Sequence, residues 1–468
     1  MKKTKRPNIL FLMTDQQRYD TMGMVNTTIK TPHLDALAQD SVFFTNGRCC
    51  NPSCVPSRAA IMTGKFPTAC HCPQFVTCLP QTEKTFMKYL QEGGYITSVV
   101  GKQHFNGSLI DKGYDEEFIV DGHTANYPQD TIQLYVDFLK EHHVDPKTVF
   151  TKDSISGGKW NVPTTYHIDE FIGEKGKEWL HHRFEKETSE TVHKPWFFTL
   201  SFPGPHHPYD GRGTDFESLY HCEDMKKPST SYADLAHKPP HFRKMSGYAH
   251  IYLKDFSEKQ FQESKLSYYA NISLIDQKVG EVIQLLKDHG DYDNTLILYT
   301  SDHGDFMGDY GMVEKLQCLS DSLMRVPLFV KPPVKNFKGF TCDDDVLNID
   351  IASTCLTTAG VSVPSEMQNY PYNGYWDPHI PKRKRACIYM EAGSIIGVIN
   401  QGIKTVHYLD RDYGELYDLT QDPLEVENLW NDSAYLPAKS EGSRLIINNL
   451  YKSIDQWDTP WNYGTPSW

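Results

Sequence analysis

The sequence predicts an α/β fold: a mostly parallel central sheet flanked by helices, followed by a small C-terminal subdomain containing an antiparallel sheet. Three observations predict it. Short apolar runs of strand character alternate with stretches of helical periodicity, as in parallel strands joined by crossover helices. Four of those runs end directly in polar or titratable residues, which is expected where the carboxyl ends of strands border a ligand crevice. Past a segment rich in Pro, Asn, Tyr and Lys (364–385), short strand-like runs follow one another with no helix between them. We therefore place the main domain at 1–365, and a linker with an α+β subdomain at 366–468.

The predicted strands of the main domain, in order, are Asn8–Met13, Tyr95–Val100, Trp196–Phe202, Thr295–Thr300 and Pro327–Val330. The first four lead into Asp15-Gln16, Lys102-Gln103-His104, His206-His207 and Asp302-His303. A long helix is predicted over Phe261–Leu286, where Ile272, Ile275, Val279, Val282, Ile283 and Leu286 recur at helical spacing and Gly290 lies just past the end. The stretches 111–163 and 211–256 show poor periodicity and are predicted as long loops or insertions, the usual carriers of specificity. The segment 364–385 reads as a linker or lid. Cys387–Met390, Ser394–Asn400 and Lys404–Leu409 are the predicted strands of the small sheet.

Of the 468 residues, 39% are hydrophobic and 23% charged, ordinary for a globular protein. The balance of 47 basic against 60 acidic residues gives a net charge of −13, which argues against nucleic acid or an anionic membrane as partner. An anionic substrate must then be held by local positive groups. The basic start Met1–Arg6 and the apolar run after it look superficially like a signal peptide. That run is shorter than the roughly 7–15 residues of an h-region, and Asp15 ends it. Eleven cysteines, six of them between Cys49 and Cys78, do not form the pattern of a disulfide framework, so a reducing, cytoplasmic location is expected. Cys49-Cys50 and Cys70-His71-Cys72 lack the paired spacing of a zinc site and are assigned to packing. No repeat or coiled-coil seam marks an oligomer interface.

Asp15, Gln16, Asp302 and His303 offer two carboxylates, an amide oxygen and an imidazole to a divalent cation. Oxygen-rich sets suit calcium, magnesium or manganese, and the histidine favours manganese somewhat. Either pair alone reads more readily as a cap or turn. The run Cys54-Val55-Pro56-Ser57-Arg58, with Met62-Thr63-Gly64 after it, is the most specific motif. Pro56 at the start of a helix places Cys54 at that helix's positive end, which suits an anion; the bland reading is a buried cysteine at a strand-to-helix turn. His142-His143 and His181-His182 lie in polar helical stretches without a motif and are read as rings satisfied by neighbouring backbone.

Together these motifs resemble the type I, formylglycine-dependent sulfatases of the alkaline phosphatase superfamily. Pro7-Asn8-Ile9-Leu10 to Asp15-Gln16 is similar to that family's first strand, and Cys54 to Arg58 with Thr63-Gly64 to its maturation signature. Gly101-Lys102-Gln103-His104 resembles its G-K-x-H segment, Pro205-His206-His207-Pro208 its P-H-x-P, and Ser301-Asp302-His303-Gly304 through Lys315 its metal and lysine segment. Glu415-Leu416-Tyr417-Asp418-Leu419 through Asp422-Pro423 is similar to its C-terminal marker. The resemblance implies that Cys54 is oxidised to formylglycine by a maturation enzyme. It also implies that Asp15, Gln16, Asp302, His303 and position 54 bind one divalent cation, calcium before manganese or magnesium. Arg58, Lys102 and Lys315 are then expected to hold the nucleophile and the sulfate oxygens. His206 and Lys315 serve the leaving oxygen, and His104 deprotonates the remaining hydroxyl. The expected reaction is hydrolysis of a sulfate ester to alcohol and inorganic sulfate.

Two departures keep an alternative open. Sulfatases commonly carry Asp-Asp where this chain has Asp15-Gln16, a feature that resembles phosphonate monoester and phosphodiester hydrolases of the same superfamily, whereas Lys102 and His104 fit sulfatases. The family's asparagine downstream of the nucleophile has no match across Cys70–Cys78. A noncatalytic binder of sulfated ligands is expected to lack Cys54, a metal ligand or His206, and none is missing. The leaving alcohol is open among sugar, aryl, steroid and choline-like esters. Trp376 and the tail residues Trp457, Trp461, Tyr463 and Trp468 are candidates to line its pocket, although large aromatics are more often core.

Overall fold

Asn8–Thr14 is buried along its whole length, because each of its two faces meets an apolar layer. Ile9, Phe11 and Met13 enter one core cluster and Leu10 and Leu12 another, the alternation that a strand covered on both sides imposes. The computed structural model describes residues 5–104, 111–122, 129–152, 157–189, 194–244, 251–252 and 257–454. In it this strand lies near the centre of an eight-stranded sheet ordered Phe340–Leu347, Val42–Arg48, Leu328–Lys331, Thr295–Ser301, Asn8–Thr14, Trp196–Ser201, Ile96–Gly101, Glu116–Ile119. Leu328–Lys331 runs antiparallel to both neighbours; the other pairs are parallel.

Helices Cys54–Thr63, Phe86–Glu92 and Asp350–Ala359 supply the first cluster. Pro32–Gln39, Gln129–Glu141, Ile168–Ser189 and Glu258–His289 supply the second. The last of these contains the predicted long helix, extended by a capping box at Ser257 and Gln260 and stopped by Gly290 in the left-handed region at φ 83°. Among the described residues no helix is long and apolar enough to cross a membrane, and all eleven cysteines are free.

Two sequence expectations are corrected. The stretch 111–163 is not all loop: Gln129–Glu141 is helical. Ile132, Tyr135, Val136 and Leu139 form a buried stripe with i, i+3, i+4, i+7 spacing, a periodicity that the polar stretches flanking it mask when 111–163 is taken as a whole. The segment 364–385 is not a free linker. Tyr372 is buried, its hydroxyl donates to the Leu347 carbonyl at 2.5 Å, and its ring packs 5.1 Å from that of Phe44. Trp376 packs partly buried against the same cluster, so it is core-associated. Trp457, Trp461, Tyr463 and Trp468 lie outside the described residues.

The small sheet is a meander of Ile388–Ala392, Ile395–Asn400, Ile403–Tyr408 and Gly414–Asp418, every pair antiparallel. Its fourth strand carries the Glu415-Leu416-Tyr417-Asp418 motif. Ile388, Met390, Val398 and Val406 share one buried cluster with Cys49, Cys50, Ala60 and Phe66, which places this sheet against the Cys54 helix.

Candidate active site

Four neighbouring parallel strands deliver the site: Thr295–Ser301, Asn8–Thr14, Trp196–Ser201 and Ile96–Gly101. Because they run the same way, their carboxyl ends bring Asp302, Asp15, the His206 loop and Lys102 to one edge of the sheet. Cys54 arrives on a separate element. It is the first residue of Cys54–Thr63, a helix buried at every position. Pro56 is thus the third helical residue rather than the first, and Cys54 itself sits at the positive helix end. Gln16 turns the chain out of its strand in the left-handed region, at φ 65°. That conformation is uncommon for a non-glycine residue, and it is held by Gln16 N–H donating to Asp302 Oδ1 at 3.0 Å and by the Tyr268 hydroxyl donating to the Gln16 carbonyl at 2.6 Å.

The two carboxylates divide their oxygens. Arg58, wholly buried, donates Nε to Asp302 Oδ2 at 2.7 Å and Nη2 to Asp15 Oδ2 at 3.1 Å. Lys102 Nζ lies 2.7 Å from the same Asp15 oxygen. Asp15 Oδ1 is left facing Cys54 Sγ at 3.6 Å and His303 Nε2 at 3.9 Å. One ligand atom from each of Asp15, Cys54, Asp302 and His303 lies within 4.8 Å of the others. Burial alone raises an aspartate, yet Lys102, His206, Arg58 and Lys315 hold Asp15 well below the usual carboxylate range. Burial and the neighbouring Asp15 charge push Asp302 the other way. Burial and Asp15 also disfavour the Cys54 thiolate, but Lys315, His303 and Lys102 outweigh them and bring the thiol well below its ordinary value.

The histidine tautomers follow from carbonyl partners, which only accept. His303 Nδ1 donates to the Gly304 carbonyl at 2.9 Å, leaving the Nε2 lone pair toward Cys54 Sγ at 3.2 Å. That is the orientation a metal-ligating histidine takes. His206 Nδ1 donates to the His207 carbonyl at 2.5 Å, so its Nε2 accepts from Lys315 Nζ at 2.8 Å. Lys315 also contacts Gln16 Oε1 at 2.9 Å, Cys54 Sγ at 3.1 Å and His303 Nε2 at 3.2 Å. His207 stacks on His206 with ring centroids 4.1 Å apart and faces Glu314 at 3.4 Å. Burial and Lys315 keep it neutral by pushing its pKa well below the ordinary value.

The structure therefore brings together Asp15, Gln16, Cys54, Arg58, Lys102, His206, Asp302, His303 and Lys315. It does not bring His104 into this hydrogen-bonded cluster. His104 has φ 54°, its backbone N–H donates to Asp121 Oδ1 at 2.8 Å, its ring meets Phe75 edge-on at 5.5 Å, and its Nδ1 is buried without a hydrogen-bond partner among the described residues. Sequence reading missed Asp305, Tyr209 and Tyr268, which support Gln16 from behind. The signal for Asp305 was its place two residues after His303 in the same motif. A cavity of about 230 Å³ lined by Arg18, Asp20, Lys265 and Asp309 lies outside this cluster, sharing none of its residues.

The family model for sulfatases matches residues 7–361. A model for the C-terminal region of N-sulphoglucosamine sulphohydrolase matches 308–450. The chain is 26% identical to an N-acetylglucosamine-6-O-sulfatase of Bacteroides thetaiotaomicron, over 97% of this chain and 88% of that protein. It is 28% identical to a choline-sulfatase of Rhizobium meliloti, over 91% and 83%. Its fold matches a phosphonate monoester hydrolase of Agrobacterium radiobacter with a TM-score of 0.81 at 19% identity, covering 96% of each chain. With the sulfatase model spanning most of its length, this chain belongs to the sulfatase family, the sulfuric ester hydrolases.

Proposed function

We propose that the protein hydrolyses the sulfate monoester of a sugar or other small alcohol, with position 54 matured to formylglycine as nucleophile and one divalent cation beside it. The convergence of Asp15, Cys54, Asp302 and His303 within 4.8 Å carries this reading. Here Cys54 Sγ stands for the hydroxyls of the matured residue. The donors fit a divalent cation on two counts: the His303 tautomer points a lone pair inward, and the Lys315 ammonium contacts Gln16, Cys54 and His303 together. With oxygen offered by Asp15, Gln16, Asp302 and position 54, calcium is the cation we assign, ahead of manganese or magnesium. When bound, it supplies Lewis acidity to the sulfuryl group and acidifies a hydroxyl at position 54.

The chain's own groups do the rest. Lys102 and Lys315 supply positive charge around the sulfate, Arg58 fixes the two carboxylates, and the second proton transfer is the role that the family resemblance gives His104, which lies outside the hydrogen-bonded cluster. His206 is locked through Nδ1, so Nε2 takes the proton that Lys315 Nζ donates across 2.8 Å and passes it to the leaving oxygen, leaving Lys315 as the neutral amine to be recharged from solvent. His206→Ala is expected to slow alkyl sulfates by about 10²–10⁴-fold and activated aryl sulfates far less, because only the former need protonation. Comparing kcat/KM for the two ester types checks this. Equal losses count against His206 as the acid.

A second reading, phosphonate monoester hydrolysis, is favoured by Gln16 in place of an aspartate and by the likeness of fold to a phosphonate hydrolase. The ratio of kcat/KM for 4-nitrophenyl sulfate to that for a matched phenylphosphonate ester decides, using enzyme coexpressed with a maturation enzyme. A ratio above unity is expected; one far below it transfers the protein to the second reading. The relatives' names support a saccharide or choline-like alcohol as the leaving group. The free thiols support a reducing, cytoplasmic location.

A further inference from the structure

We propose that Asp305 is the positioning residue of the cation site: one hydrogen bond behind the donor set, it fixes which end of the Gln16 amide faces the cation. This rests on the assignment of Gln16 as a cation donor. Asp305 is fully buried. Its Oδ2 accepts from Gln16 Nε2 at 2.6 Å and from the Tyr209 hydroxyl at 2.7 Å. Its Oδ1 accepts from Met307 N–H at 2.7 Å and Glu314 N–H at 3.1 Å.

An amide side chain can usually be turned over without penalty, since its two ends are nearly the same shape. Gln16 has no such freedom. On one side stands the Asp305 carboxyl, which accepts from the Tyr209 hydroxyl and two backbone N–H groups as well as from Gln16, and on the other the Lys315 ammonium, which only donates, 2.9 Å from Oε1. Both constraints select the same orientation, with the amide oxygen toward the centre. The backbone of Gln16 is pinned as well, by Asp302 and Tyr268. Asp305 reaches two further parts of the site. Tyr209 follows the His206-His207-Pro208 turn, and Glu314 immediately precedes Lys315, so one carboxylate ties the amide donor to both proton-handling segments.

Exchanging the amide and the carboxylate tests this. In Asp305→Asn the new amide oxygen is claimed by the Met307 and Glu314 N–H groups, and its NH₂ faces Gln16. Gln16 then turns over and aims a donor at the cation. Calorimetric titration of the metal-stripped protein with Ca²⁺ and Mn²⁺ is expected to show affinity weakened at least about 10-fold. Adding Gln16→Glu to that variant lets the new carboxylate accept from the new amide and still face the cation, and affinity is expected to return to within about 3-fold of the parent. A support role in the 306–314 loop alone is not rescued by a change at position 16. Affinity that survives Asp305→Asn, a double variant no better than the single, or a double variant that does not fold each overturns the proposal. An unsubstituted protein that binds neither cation overturns the cation site itself and this inference with it, whereas loss of the Asp305 effect alone leaves that site standing.

Discussion

Cys54→Ala is expected to abolish sulfate-ester turnover, by at least about 10⁴-fold, the scale on which loss of a nucleophile is felt in other hydrolases. The fold is expected to persist. Alanine is the strongest helix former and Cys54 opens a helix, so the backbone is not penalised. The side chain it replaces is small, and its contacts are polar: His303 Nε2 at 3.2 Å, Lys315 Nζ at 3.1 Å and Asp15 Oδ1 at 3.6 Å. Burial and Asp15 disfavour the thiolate, but Lys315 helps bring the unmodified thiol below its ordinary pKa, so the thiol compensates that ammonium; alanine does not. Turnover of 4-nitrophenyl sulfate alongside a circular-dichroism melt separates the two effects, and the intact mass of the parent enzyme reports whether the thiol has become an aldehyde. Turnover that survives the substitution removes position 54 from the chemistry.

Much of the site was legible because it lies at strand ends. An apolar run that stops at a charged pair marks both a buried strand and its open end, and Asp15, Lys102 and Asp302 are legible on that ground alone. The same logic located the His206 loop. What stayed hidden depends on tertiary contact. Asp305 stands in the His303 motif, but its meetings with Gln16 across 289 residues and with Tyr209 across 96 are written in no local pattern. The helix Gln129–Glu141 is short and set between long polar stretches that blur its periodicity, and the packing of 364–385 is hidden by a composition that suggests a linker. Arg58 shows the limit most clearly. A basic residue beside a nucleophile suggests contact with substrate, whereas its guanidinium is spent on the two carboxylates.

Arg58→Ala is accordingly expected to cost stability first, about 3–5 kcal/mol for leaving buried charge without its partner. One planar group satisfies four acceptors at once: Asp302 Oδ2, Asp15 Oδ2, the Lys102 carbonyl at 2.9 Å and Ser201 Oγ at 3.1 Å. Lysine restores the charge but not the fork, so Arg58→Lys is expected to recover only part of the loss. The pH dependence identifies the source. Asp15 has a folded pKa below its unfolded value, so its stabilising contribution is present above the unfolded value of about 3.9 and lost as pH falls through the lower folded value. Removing Arg58 raises the folded pKa of both carboxylates, since each is paired with it. The stability gap between Arg58→Ala and the parent is then expected to narrow as the medium is acidified, first above about pH 4 as Asp302, raised by burial and Asp15, takes up its proton, and further below it as Asp15 does, since neutral carboxyls no longer need the guanidinium. Urea unfolding of the metal-stripped proteins across pH measures it. A gap that stays constant into acid assigns the loss to packing around Arg58, and the ion pairs with Asp15 and Asp302 are then not what holds this edge of the sheet together.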